Sequence, residues 1–211
     1  MYTKNRILLW HFAQGFFKKD DKSLFFVDDF FIANYTKGHM DKGRKMEMKY
    51  SVVYTSPTGN TQQLAQEICA ALPQEDCCYF GAPDAQAMQA ELVFVGFWTD
   101  KGSCDAKTAE FLKQLQGKKV FLFGTAGFGM DQAYFDRILG NVKQNLPQEH
   151  ELVGSYMCQG KMPMAVRKRY ESMPDLPDRD MLIENFDRAL THPDANDLKG
   201  MQQAVQAAYQ G

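Results

Sequence analysis

Tyr50-Ser51-Val52-Val53-Tyr54-Thr55-Ser56-Pro57-Thr58-Gly59-Asn60-Thr61 reads as an apolar strand that runs straight into a hydroxyl-rich turn and then into a helix. Ser56, Thr58, Asn60 and Thr61 gather short polar side chains around one point, and Gly59 lets the backbone approach without a Cβ. A helix starting near Asn60 aims its unpaired N–H groups and the positive end of its dipole at that point, which favours an anion. No Lys follows Gly59, so this is not the Walker loop, whose Lys and Ser/Thr serve a nucleoside triphosphate and Mg²⁺. A cation-free cradle of hydroxyls suits a phosphate monoester held by hydrogen bonds. The competing reading is a well-capped helix with nothing bound, since Ser, Thr and Asn are ordinary capping residues.

Working outward, two more strands end in similar style. Glu91–Phe97 and Val120–Gly124 are near-continuous apolar runs, as expected of strands buried on both faces. The first opens into Trp98-Thr99-Asp100-Lys101-Gly102 and the second into Thr125-Ala126-Gly127-Phe128-Gly129. In open parallel sheets, ligands bind beyond the carboxyl ends of the strands at a topological switch point. A flat aromatic ligand with a phosphate tail would satisfy the whole set, and flavin mononucleotide (FMN) is the obvious candidate. Trp98 and Phe128 stand beside strand ends and Gly, which favours stacking on a ligand over a place in the core.

From Met48 to Met157 the order of strands and helices, with Ser56-Pro57-Thr58-Gly59-Asn60-Thr61 matching the signature Ser/Thr-x-Thr-Gly-x-Thr, resembles the flavodoxin family. The resemblance implies a doubly wound, three-layer α/β fold with a five-stranded parallel sheet in the order 2-1-3-4-5, the family being the known case of the switch-point rule. It implies non-covalent FMN, with the phosphate on Thr55, Ser56, Thr58, Gly59, Asn60 and Thr61. The ring would lie between Phe97, Trp98, Thr99, Asp100, Lys101 and Gly102 on one side and Thr125, Ala126, Gly127, Phe128 and Gly129 on the other. The chain departs from the Trp-Gly-Asp order common in short flavodoxins, because Gly102 comes later than the family's glycine, and this leaves open which peptide faces the flavin N5. Gly154–Pro163 and His192-Pro193-Asp194 resemble a bacterial subgroup of the family, some members of which are encoded beside a bilirubin reductase. That enzyme is therefore a candidate partner.

Composition fits one ordinary core: 211 residues, 45% hydrophobic and 24% charged. Five Cys without C-x-x-C spacing argue against a disulfide framework or a zinc site and are expected to be buried, reduced thiols. Cys104 follows the first ring loop and has a reactive reading as well, which requires a lowered pKa. The four His show no metal-ligand spacing.

Residues 1–45 differ in kind. They hold nine Lys/Arg against five Asp, a net of +4, while the remainder is net −6. Ten of them are aromatic without helical or strand period, and their short apolar runs neither span a membrane nor make a good signal peptide. Lys42-Gly43-Arg44-Lys45 before Met46 reads as a translated purine-rich ribosome-binding site. Residues 1–45 are thus expected to be a non-native or disordered extension, with an aromatic docking arm as the alternative. Residues 46–211 are expected to form the domain, with its core at 48–158 and C-terminal helices at 159–211.

The expected elements are strands 49–55, 77–80, 91–97, 119–124 and 151–157 and helices 60–72, 105–116 and 131–145. Three further helices are expected around 163–172, 178–190 and 195–209. Gly124-x-x-Gly127-x-Gly129 follows a late strand with no separate dinucleotide domain, so a nicotinamide site is not expected there. Arg167-Lys168-Arg169 is either a solvated face or a docking patch; it is too short, in too acidic a domain, for nucleic acid. No nucleophile–base pair is legible. The expected function is a cytoplasmic bacterial electron carrier that passes electrons through FMN to a partner reductase. The alternatives are an FMN-dependent quinone or porphyrinogen oxidoreductase and a non-redox domain with an empty cradle.

Overall fold

The computed structural model describes residues 48–129 and 131–210. The expectation for residues 1–45 lies outside them. Five parallel strands form the sheet: β1 (Tyr50–Tyr54), β2 (Cys77–Gly81), β3 (Leu92–Asp100), β5 (Lys119–Ala126) and β6 (Glu151–Gln159), in the order β2-β1-β3-β5-β6. This is the expected 2-1-3-4-5 arrangement. A sixth, two-residue strand, β4 (Ser103–Cys104), lies off this path and pairs antiparallel with the end of β3.

Side chains alternate across the sheet, as its pleat requires. Tyr50, Val52, Leu92, Phe94, Phe121 and Phe123 face α1 (Asn60–Ala71) and α6 (Ala195–Gln210), where Leu64, Ala65, Ile68, Met201, Val205 and Ala208 cover them. Val53, Val93, Val95, Phe97, Val120 and Leu122 face α2 (Ala106–Leu112) and α3 (Gln132–Lys143), meeting Phe111, Leu112, Ile138, Leu139 and Val142. The last helices, α4 (Met164–Glu171) and α5 (Arg179–Ala189), pack on each other beyond the end of β6. No helix among the described residues is long and apolar enough to cross a membrane.

Several boundaries differ from expectation. Strands β3, β5 and β6 run two or three residues further than their apolar runs, because ladder bonds continue into polar sequence. Helix α2 stops at Leu112, and Gln114 and Leu115 follow with tighter bonds to Phe111 and Leu112 three residues back. Two close approaches fix the centre of the sheet. A Cβ on Gly124 would come within 2.6 Å of the Phe97 ring, and one on Gly96 within 2.3 Å of the Phe123 ring. Each glycine makes room for an aromatic ring on the neighbouring strand.

Only two of the five cysteines are buried, Cys104 and Cys158; Cys69 and Cys77 are half-buried and Cys78 is exposed. The expectation of five buried thiols therefore fails. Residues on the edge strand β2, and Cys69 on the flank of α1, are covered on one side only.

Candidate functional site

The turn after β1 has the shape that its sequence implies. Gly59 takes a left-handed conformation (φ +82°) just ahead of α1, and nothing lies within 4 Å of where its Cβ would point. Ser56 Oγ accepts the Gln62 N–H at 3.1 Å, and Thr58 Oγ1 accepts Asn60 Nδ2 at 2.9 Å. Each hydroxyl accepts one bond and donates none among the described residues, so its proton remains to be donated. The N–H groups of Thr58, Gly59, Asn60 and Thr61 have no acceptor among the described residues. Asn60 is 4% exposed, yet its Oδ1 has no partner there either. Unfilled donors at a helix start and hydroxyls with protons to spare are what a phosphate monoester needs. The residues fit that group.

Threonine hydroxyls knit the three strand ends together. Thr61 Oγ1 donates to the Phe97 carbonyl at 3.3 Å and meets Thr125 Oγ1 at 3.1 Å. Thr99 Oγ1 donates to the Thr125 carbonyl at 3.0 Å. Thr55 Oγ1 donates to Asp105 at 2.5 Å, and the same carboxylate takes Thr108 Oγ1 at 2.7 Å and the Lys107 and Thr108 N–H groups. The side chains of Thr55 and Thr61 are therefore turned to the scaffold, while Ser56 and Thr58 remain for the ligand. For Thr61 the backbone N–H is the group left to the cradle.

The expected first ring loop is a tight hairpin. Asp100 pairs with Ser103 and Thr99 with Cys104, and Lys101 (φ 49°) and Gly102 (φ 81°) form the two-residue turn. Positive φ at both central residues marks the type I′ turn that suits the twist of a β-ribbon. Asn141 Nδ2 from α3 holds the Gly102 carbonyl at 2.9 Å. Trp98, Thr99 and Asp100 are thus strand residues, half-buried at the end of β3. Phe97 lies wholly in the core, where its carbonyl rather than its ring reaches the site.

In the second loop, Thr125 and Ala126 are buried strand residues, and the turn itself is Gly127-Phe128-Gly129. Phe128 packs on Tyr134 of α3 with ring centroids 6.4 Å apart, and the Arg137 guanidinium lies 5.6 Å from the Tyr134 centroid. The Gly127 carbonyl accepts both Gln159 Nε2 and Asn185 Nδ2 at 3.0 Å, and these two amides bond each other at 3.1 Å. A Cβ on Gly127 would lie 2.6 Å from the Met162 sulfur, and one on Gly129 2.7 Å from Gln159 Oε1. Gln159 ends β6, Met162 and Asn185 come from the segment after it, and sequence reasoning gave the three no role. Asn185 had no signal beyond being a buried amide in mid-helix. Asn60 extends the same theme, since its Nδ2 also donates to the Lys161 carbonyl at 2.8 Å.

Cys104 is buried, and burial pushes its thiol above the ordinary range, so the reactive reading loses its chemical basis. His192, Asp194 and Asp197 cluster at the start of α6 with ligand atoms within 4.8 Å of one another. Their oxygens are engaged in capping: Asp194 Oδ1 takes the Asn196 and Asp197 N–H groups, and Asp197 Oδ2 takes the Asp194 N–H and meets His192 Nδ1 at 2.5 Å. A cavity of about 490 Å³ is lined by Pro174, Leu176, Asp178, Arg179, Asp180 and Met181 and includes none of the strand-end residues.

Comparisons with known proteins bear on the family. The family described as Flavodoxin domain matches residues 51–206. The chain is 41% identical over 177 residues to the flavodoxin-like domain-containing protein BilS of Clostridium symbiosum, covering 74% of this chain and 93% of that one. It is 31% identical over 159 residues to BilS of Clostridioides difficile, covering 72% and 90%. Among solved structures, a flavoprotein in complex with FMN from Lactobacillus acidophilus aligns at 13% identity and a TM-score of 0.42, covering 53% of this chain and 93% of that one.

Proposed function

The chain belongs to the flavodoxin-domain family, and on that basis we propose that it binds FMN and carries electrons to a partner reductase. The observation that carries this reading is the cradle after β1, with four unfilled N–H groups and two hydroxyls that accept from the protein and keep their protons. FMN supplies reversible one- and two-electron redox chemistry when bound. The chain's own residues supply position. Ser56, Thr58 and the backbone of Gly59, Asn60 and Thr61 hold the phosphate. The Lys101-Gly102 hairpin and the Gly127-Phe128-Gly129 turn flank the ring on either side of the strand ends. Trp98 and Phe128 offer aromatic faces, and the threonine cross-links keep the three ends at fixed spacing.

A partner is implied because a flavin that is reduced must pass its electrons to an acceptor. The likeness to proteins named BilS supports a bilirubin reductase as that partner and a bacterial cytoplasmic setting. The test begins with purification. The protein is expected to bind one FMN, identified by absorbance and mass spectrometry, and not FAD, since there is one phosphate cradle. Steady-state turnover of NADPH with quinone by the isolated protein would instead establish the oxidoreductase reading, and a protein that binds no flavin the empty-cradle reading.

A further inference from the structure

We infer that the outer face of α4, with Lys161 just ahead of it, is the docking surface for an acidic redox protein. The inference rests on the FMN reading of the strand ends. Residues 160–170 contain Lys161, Arg167, Lys168 and Arg169 and no Asp or Glu, inside a domain that is otherwise acidic. Arg167 is neutralised by Glu171 and Asp187. Lys161, Lys168 and Arg169 are exposed and have no carboxylate partner among the described residues.

Met164 stands one turn before Lys168 on the same helix face and is 53% exposed. An adaptable methionine among unneutralised cations suits a contact that is steered by charge and tolerant in packing. The position of the face matters as much as its charge. Met162, two residues before α4, packs against Gly127, and Asn185 of α5, the helix paired with α4, holds the Gly127 carbonyl. Helix α4 is thus braced on the loop read as one wall of the ring site. A protein seated on its cations lies beside the segment that braces that wall. Three free cations repel a basic partner, so the partner surface is acidic. On α4 itself Met164 is the one large apolar side chain that is exposed, which gives this face little area for membrane insertion.

The test uses the FMN-loaded, chemically reduced full chain and two probes, cytochrome b5 with its acidic haem face and the basic cytochrome c. Stopped-flow rates are measured across ionic strength for the wild type and for K168E/R169E. The wild-type rate with cytochrome b5 is expected to fall as salt rises. The variant should be slower on the order of tenfold at low salt and lose the salt dependence, while its rate with cytochrome c is not lowered. K168Q/R169Q should fall between, and equal flavin content and melting temperature show that all three proteins are intact. A variant that keeps FMN and the wild-type rate with cytochrome b5 overturns the docking surface alone. Cosedimentation with phosphatidylserine vesicles that the variant loses, at an unchanged cytochrome b5 rate, also overturns it and assigns the patch to a membrane surface. A protein that takes up no FMN overturns the strand-end reading together with this one.

Discussion

Thr58 and Thr61 lie three residues apart in one signature, and the structure gives their hydroxyls different work. Thr58 Oγ1 accepts from Asn60 and keeps its proton for the ligand, whereas Thr61 Oγ1 is buried between Phe97 and Thr125. Thr58→Val is expected to weaken FMN binding by about 1–3 kcal/mol, the worth of a hydrogen bond to a charged group, with an unchanged apo melting temperature. Thr61→Val should cost the apo protein about 1–3 kcal/mol in urea unfolding, by stranding the Phe97 carbonyl and Thr125 hydroxyl. Equal effects of the two on both measurements would refute this division. Gly124 carries a prediction of packing. With the Phe97 ring 2.6 Å from a hypothetical Cβ, Gly124→Ala should lower stability by about 1–3 kcal/mol, read as a lower urea midpoint at unchanged slope.

The order of elements was legible because buried parallel strands read as continuous apolar runs, and helices α1, α3 and α6 as 3.6-residue stripes. Their ends were less so. Trp98–Gly102 looks like a loop because Thr, Asp, Lys and Gly break the apolar run, yet hydrogen bonding to Ser103 and Cys104 makes it a β-ribbon, a pairing that hydropathy does not encode. The turn proposed to hold the phosphate was readable from local spacing alone, since all its residues are neighbours in sequence. The clamp on Gly127 was not, because Gln159 and Asn185 reach it across 32 and 58 positions. That clamp separates two kinds of binding defect. Asn185→Ala, by loosening the ring wall, should reduce affinity for riboflavin and FMN by the same factor. Thr58→Val should reduce affinity for FMN alone, because riboflavin has no phosphate. Fluorescence titration of both ligands decides it, and an FMN-only loss in Asn185→Ala would place the clamp with the phosphate instead.

At the scale of the whole molecule, the described members of the two apolar clusters that are buried run from Tyr50 to Ala208. A chain beginning at Met46 is therefore expected to fold, to load FMN and to match the melting temperature of the full chain. A drop of several degrees would show that residues 1–45 contribute to the core. Alkaline pH tests the same core. Burial raises the Tyr50 hydroxyl and the Cys158 thiol well above their ordinary values of 10.0 and 9.0. A raised pKa in the folded state gives stability that is complete below the unfolded value and lost as pH climbs past it. Stability should hold to about pH 9, then fall as Cys158 begins to count and faster above about pH 10 as Tyr50 joins. Urea midpoints across pH 7–11 measure this, and a flat profile would mean that both groups ionise freely in the folded protein.

The bond from Asn60 Nδ2 to the Lys161 carbonyl joins positions 101 residues apart. During synthesis on the ribosome, the phosphate turn emerges long before the segment that steadies it, and the Gly127 loop in turn waits 58 positions for Asn185. The nascent chain would therefore assemble much of its sheet while still unable to retain its flavin. Cofactor capture is then expected among the last events of biogenesis, and a prematurely terminated chain that lacks α5 is expected to hold flavin less tightly than the complete one.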